Sequence, residues 1–393
     1  MKISDIAAYA KRGITPIYVE ADGFAVVNQR CVKDGRINTG FIKYTSKGKK
    51  YPDEKKLRVG DILINSTGTG TLGRVAFVYD TSTISYADSH VTILRCKEYN
   101  SQFLYYWLRP LENYIESLGK GSTNQIELSD DAIFSIDIPE VGIDVQCRIA
   151  DILSAYDNLI ENNQKQIKLL EEVVQRLYKE WFVDLRFPGY EDTPIVDGVP
   201  EGWSLRPISD FGEVVTGKTP STEKKEYYGG NIPFVKIPDM HGCVYPVITE
   251  SSLTEAGAKT QINKFIPRNG IMVSCIATVG LVNIAVERCQ TNQQINSIIL
   301  SDERDLYYVF SAMKRLKELL EGVGSNGATM TNVNKTKFAS LPVLYPSEEL
   351  RDSYYSFCKP IFEKIYNLSL SVVRLKKSRD RLLPKLMSGE IEV

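Results

Sequence analysis

Three glycines raise the first chemical question. Gly68, Gly70 and Gly73 in "VGDILINSTGTGTLGRVAFV" (59–78) fit G-x-G-x-x-G, behind the apolar run Ile62 to Ile64. The window "GTGTLGR" nearly fits a phosphate loop, with Arg74 where the lysine belongs. A loop that cradles phosphate must open a helix, because the helix N-terminus carries the anion. The residues after Gly73, "RVAFVYD", are β-branched and aromatic and predict a strand. Val75 occupies the place of the magnesium-binding hydroxyl. The glycines are therefore expected to make a strand–turn–strand element, in which φ > 0 is tolerated.

Other signatures are sparse. There is no H-E-x-x-H and no G-x-S-x-G, and no N-P-P-aromatic run of amino-methyltransferase type. "PDEKK" (52–56) places its carboxylates side by side, so it predicts a solvated charged loop rather than a nuclease metal site. Seven cysteines are scattered without C-x-x-C, and His90 and His241 have no near cysteine partner. Reduced thiols in a cytoplasmic protein and no metal site are expected. The 393 residues are 43% hydrophobic and 25% charged, which is ordinary soluble composition for two or three domains. No stretch approaches the roughly 20 apolar residues of a membrane span.

The net charge of −1 excludes a global basic field, but local charge is uneven. Between Asn28 and Arg58 ten basic residues face three acidic ones, with Phe41, Tyr44 and Tyr51 interleaved. A second basic run, "RLKKSRDRLLPK", lies near the C-terminus.

The elements that must position these residues come twice. "ISDI" (3–6) recurs as "ISDF" (208–211), and "GITP" (13–16) as "GKTP" (217–220). "GDILI" (60–64) aligns with "NGIMV" (269–273), and Gly119–Pro139 with Gly324–Pro346. Four matches in one order at an offset near 205 residues make an internal repeat. In the repeat partner of the glycine turn, "GIMVSCIATVGLVNIAV", only Gly280 survives, which also argues against a cofactor loop. Each copy ends in a long helical pattern. The first stripe is Ile149, Ile152, Tyr156, Ile160, Ile167, Leu170, Val174, Leu177 and Trp181, with Asn163 filling one place. The second is Ile361, Ile365, Leu368, Val372, Leu375, Leu382 and Leu386, with Arg379 filling one place. The alternating four-and-three spacing is a heptad seam that calls for a partner helix. Each helix is expected to be about 50–57 Å long at 1.5 Å per residue. Two helices related by a pseudo-two-fold axis would form an antiparallel coiled coil, with the chain termini close together and the two variable domains at its opposite ends. The variable parts carry short β-branched runs and one helix pattern each, "SQFLYYWLRPLENYIESLG" and "LYYVFSAMKRLKELLEG". The fold class expected is α+β, with two mixed α/β domains and two long helices.

The run "RIADILSAYDNLIENNQKQIKLLEEVVQRLYKEWFVDLRFP" (148–188) resembles the central conserved region of specificity subunits of type I restriction–modification enzymes. "RDRLLPKLMSGEIEV" (379–393) resembles their distal conserved region, and Pro200–Met240 the start of a target recognition domain. "VGDILINSTGTGTLGRVAFV" is similar to the family's strand–glycine turn–strand. The resemblance implies recognition domains at 1–142 and 205–346, conserved helices at 143–184 and 347–393, and a connector at 185–204. It implies a non-catalytic subunit that binds a bipartite double-stranded DNA target, one half-site per domain, with the coiled coil setting the spacer. Two methylation subunits and two motor–nuclease subunits would be its partners. S-adenosylmethionine, ATP and Mg²⁺ would bind in those partners and not here. A related system whose partner chain combines methylation and cleavage, or a self-contained DNA-modifying enzyme, are the alternatives. Lysines and arginines would hold phosphates and polar loop residues would read base edges. The DNA-binding candidates are Arg30, Lys33, Arg36, Lys43, Lys47, Lys49 and Lys50 in the first domain. In the second they are Lys218, Thr219, Ser221, Lys224, Lys225, Lys236, Lys264 and Arg268. Any one of these could equally be a solvated surface charge. The basic run at 374–385 could instead meet the methylation subunits.

Overall fold

The computed structural model describes residues 1–121, 126–322 and 332–393. Of the paired segments 119–139 and 324–346, residues 122–125 and 324–331 lie outside the described residues. The chain divides into two compact units: Met1–Asn158 with Lys377–Val393, and Leu159–Lys376.

In the first unit the main strands are β1 (Ala7–Arg12), β2 (Phe24–Val27), β3 (Lys43–Thr45), β4 (Ile62–Asn65), β5 (Val75–Phe77), β6 (Tyr86–Ala87) and β7 (Val91–Cys96). One antiparallel sheet has the order β1-β7-β4-β5. In register, Arg12 faces Thr92 and Asn65 faces Val91. Successive side chains of a strand point to opposite faces, and here both faces are covered. Ile62, Ile64 and Leu94 enter a core with Phe103, Leu104 and Tyr105, while Leu63 and Ile93 enter another with Val27, Cys31 and Ala76. This double burial explains why β4 reads as an unbroken apolar run rather than an alternating one. A second sheet pairs Tyr18–Val19 with β3, β3 with β2, and β2 in parallel with β6.

In the second unit they are β8 (Gly212–Thr216), β9 (Tyr228–Val235), β10 (Ser251–Leu253), β11 (Ile271–Ser274), β12 (Val282–Ile284), β13 (Gln290–Thr291) and β14 (Ile295–Leu300). The antiparallel sheet has the order β8-β14-β11-β12. The second sheet pairs β10 with β9, and β9 in parallel with β13.

The helix expected over 101–119 is interrupted. It runs Ser101–Leu108, tightens into a 3-10 turn at Arg109–Leu111, and resumes at Glu112–Ser117. The break falls at Pro110, which removes a backbone donor and crowds the preceding turn, whereas the helix Glu348–Met387 continues through Pro360 and Pro384. Its counterpart breaks at Arg315, between Leu306–Lys314 and Leu316–Gly322.

Two helices of 40 residues each, α-helices Ile143–Phe182 and Glu348–Met387, contribute to both units. Within the second unit their segments run antiparallel. Asn163 Nδ2 donates to Ser371 Oγ at 3.1 Å, and Val174 O accepts from Tyr354 further along. Val174, Tyr178, Phe182, Tyr354, Phe362 and Ile365 share one buried cluster. Within the first unit Ile149, Leu153 and Leu386 join the core of Phe103–Leu108. There Asp157 pairs with Arg379 and accepts a 2.8 Å hydrogen bond from Tyr106.

Candidate nucleic-acid interface

The glycines at 68–73 form a turn between β4 and β5, which pair antiparallel. Gly68, Gly70 and Gly73 all have positive φ. Asn65 Nδ2 ties the turn together by donating to Gln29 O at 2.9 Å and Thr71 O at 3.0 Å. Thr67 Oγ1 lies 2.6 Å from His90 Nδ1, while Thr69 is exposed.

His90 belongs to a short loop at the exit of the parallel strand pair. Asp88 Oδ1 accepts from His90 N at 2.9 Å, and Val91 N donates to Asp88 O at 3.1 Å. That is an Asx turn. The "GITP" segment lies against it: Gly13 N donates to Val91 O at 2.9 Å and Ile14 N to Ala87 O at 2.8 Å. A Cβ at Gly13 would stand 2.0 Å from Ala87 O, so the close approach requires glycine. Tyr18 OH donates to Asp88 Oδ2 at 3.3 Å. Burial pushes the Asp88 carboxyl up from the usual carboxylate range, opposed by the His90 backbone N–H. Burial, and then Asp88, push the Tyr18 phenol up to about 12.

The second unit builds the corresponding loop with the same backbone bonds. Gln294 N donates to Asn292 Oδ1 at 3.1 Å and Ile295 N to Asn292 O at 3.2 Å. Gly217 N donates to Ile295 O at 3.1 Å and Lys218 N to Thr291 O at 2.9 Å. A Cβ at Gly217 would stand 2.2 Å from Asn292 O. Two buried amides fix the loop: Gln261 Nε2 donates to Lys218 O at 2.7 Å and to Gln290 Oε1 at 2.8 Å. At the tip, Thr219 Oγ1 donates to the exposed Gln293 at 2.6 Å.

The cations predicted from sequence are distributed unevenly around these loops. In the first unit Lys43 lies 4.8 Å over the Tyr18 ring, and Lys49 Nζ donates to Thr15 O at 3.2 Å. Arg30 is exposed and stacked 4.6 Å over Phe41, its backbone held by Asn28 Oδ1. These three flank the loop. Lys47 and Lys50 are exposed nearby in sequence. Lys33 and Arg36 instead form a small hairpin, in which Arg36 is half-buried with its guanidinium 4.3 Å over Tyr79.

In the second unit Lys218 and Ser221 are exposed on the glycine loop itself. Lys224 Nζ bonds Tyr227 OH at 3.2 Å, and Lys225 is exposed beside it. Lys236 leaves β9 next to the loop but pairs with Glu250 at 3.2 Å. Lys264 is half-buried in a 3-10 turn. Arg268 precedes β11, whose far end, Ser274, is the one that faces Ile295. It therefore sits at the other end of the sheet from the Asx turn.

Gln29, Asn292 and Gln293 were not indicated by the sequence, and His90 only as a possible metal ligand; Thr67 was indicated as a residue of the glycine turn's tip. A signal exists in the sequence: "ADSHV" (87–91) and "TNQQI" (291–295) both place Asp or Asn three residues before the strand's first β-branched residue.

The family model for the type I restriction modification DNA specificity domain matches residues 1–172 and 200–357. The chain is 32% identical to the type I restriction enzyme HindI specificity subunit of Haemophilus influenzae, over 86% of this chain and 88% of that one. It is 26% identical to the MjaIX specificity subunit of Methanocaldococcus jannaschii, over 89% of this chain and 84% of that one. The crystal structure of a type I restriction–modification S subunit from M. genitalium shares the fold, with TM-score 0.62, 14% identity, and coverage of 98% of this chain and 95% of that one. The chain belongs to the family of type I restriction–modification specificity subunits. It is thus a DNA-sequence-recognition subunit and not itself catalytic; methylation and cleavage reside in partner subunits. Among the described residues no helix is long and apolar enough to cross a membrane.

Proposed function

We propose that this subunit recognises a bipartite double-stranded DNA target, one half-site through each unit, and docks two methylation and two motor–nuclease subunits. The observation that carries this reading is the loop frame built twice: Gly13 to Val91 and Ile14 to Ala87 in one unit, Gly217 to Ile295 and Lys218 to Thr291 in the other. Two like frames bearing unlike side chains suit two unlike half-sites. The chain is read as an internal repeat with recognition domains at 1–142 and 205–346, joined by the helices at 143–184 and 347–393 and the connector at 185–204. The helices act as an antiparallel coiled coil whose length fixes the spacer. Cations flanking the loops neutralise phosphates, and polar side chains between them meet bases. No cofactor binds this chain; S-adenosylmethionine, ATP and Mg²⁺ serve the partners, and the assembly works in the cytoplasm.

Methylome sequencing of the source cell with and without the gene tests the reading. One asymmetric bipartite motif should disappear with the gene, and an unaltered methylome would refute it. Inserting one heptad in each long helix adds about 10.5 Å of helix. The spacer should then lengthen by about three base pairs at 3.4 Å each. An unchanged spacer would remove the ruler role.

A further inference from the structure

Cations that neutralise phosphates add affinity without sequence information, so rigidly held polar groups between them are candidate base readers. A reader needs a rigid support, an exposed polar end and a place between the cations. Surface lysines lack the first of these.

The Asx turns meet all three. Their backbones are pinned on both sides, by Asp88 or Asn292 within the turn and by the glycine segment beside it. The supporting residues are buried: Asp88 in the first unit, and Gln261, Gln290 and Asn292 in the second. What differs between the units is the cap. In the second unit Gln293 projects from the turn, with its Oε1 held by Thr219. In the first unit the exposed His90 has Nδ1 held by Thr67, which leaves Nε2 as the outer ring nitrogen. Lys218 borders the first of these caps; Lys43 and Lys49 border the second through Tyr18 and Thr15.

We infer that Gln293, oriented by Thr219, and His90, oriented by Thr67, read bases in the two half-sites, and that Gln293 selects adenine. An amide offers one acceptor and two donors side by side, which match N6–H and N7 of adenine in the major groove. The Thr219 hydroxyl uses one lone pair of Oε1 and leaves the other for N6–H. The inference rests on the bipartite reading above and assigns it to particular side chains.

The experiment is selection from a duplex library randomised over both halves, using the full chain in complex with its methylation subunits at one fixed salt concentration. Wild type, Gln293→Ala, Thr219→Val and His90→Ala are compared, with melting temperature as a control for folding. Gln293→Ala should lose preference for adenine at one position of one half-site, by roughly 5- to 150-fold, the range of a bidentate base contact. Thr219→Val should weaken the same position less. His90→Ala should relax one position in the other half-site only. Variants that melt normally and select the wild-type motif, or that weaken binding evenly at all positions, overturn the assignment while leaving bipartite recognition standing. A wild-type complex that enriches no motif overturns both.

Discussion

The packing of the long helices differs between the two units. In the first, Asp157 and Arg379 form a buried ion pair, 4% and 8% exposed, with Tyr106 donating to the carboxylate and Arg109 3.9 Å away. An offset of 205 residues maps Asp157 onto Phe362, and maps Val174 onto Arg379. In the second unit Phe362 and Val174 lie in a common apolar cluster, where Phe362 stacks on Tyr307 at 4.3 Å. The aromatic version stabilises by burying area and is indifferent to small slips along the seam. The ionic version brings little net stability, because desolvation offsets the attraction. It does punish any register in which one charge is left without the other, so the first unit relies on specificity where the second relies on packing.

Substitutions that unbalance this contrast should have the largest effects. Asp157→Ala leaves the buried Arg379 guanidinium with Asp380 as its remaining carboxylate and takes the acceptor from Tyr106, and should cost about 3 kcal/mol. Phe362→Ala should cost a similar ~3–5 kcal/mol, through lost burial and a cavity. Urea denaturation distinguishes the two by a second step. Asp157→Phe with Arg379→Val, which copies the second unit's chemistry, should recover the loss and reach wild-type stability or exceed it by about 1–4 kcal/mol. If the double variant stays as weak as Asp157→Ala, the ion pair is stabilising in itself.

The glycine frames come next, because there the units agree. Gly217→Ala drives a methyl group into backbone carbonyls and should cost about 1–3 kcal/mol, and Gly13→Ala the same in the first unit. Thermal melts that do not move for either variant would show that the close approach is not needed.

The smallest effect concerns the turn residue itself, Asp88 in one unit and Asn292 in the other. The folded-state pKa of Asp88 is raised, so the folded chain holds its proton more tightly than the unfolded chain does. Its contribution is present below the unfolded value and is lost as pH rises through the folded one. Tyr18, His90, Lys43 and Cys31 are titratable groups that act on it or feel it. Asp88→Asn keeps the acceptor for His90 N and removes the titration. Stability of the variant should gain less than that of wild type on acidification through the carboxylate range, and should be equal or slightly higher at neutral pH. Superimposable pH–stability curves would contradict the burial of Asp88.

Much of this frame could be read from residue order. The turn at 68–73 was legible because the β-branched residues after Gly73 exclude a helix. The helical stripes were legible because a heptad repeats over many turns; the break at Arg109–Leu111 was not, since Pro360 and Pro384 sit inside an unbroken helix. Long-range pairings were not legible. Thr67 meets His90 across 23 residues and Thr219 meets Gln293 across 74, and neither pair has a local signature. Charge was equally mute about context: Lys43 and Arg36 are alike in sequence, yet one flanks the loop while the other packs on Tyr79. Asp157 looked like any helical surface acid, because its partner lies 222 residues away.

The central claim is that each unit reads one half of the target independently. Exchanging residues 205–346 for the matching region of a relative with a different known target, followed by methylome sequencing, tests it most directly. One half of the motif should change to the donor's, while the other half and the spacer stay as they were. A motif changed in both halves, or in neither, would contradict it.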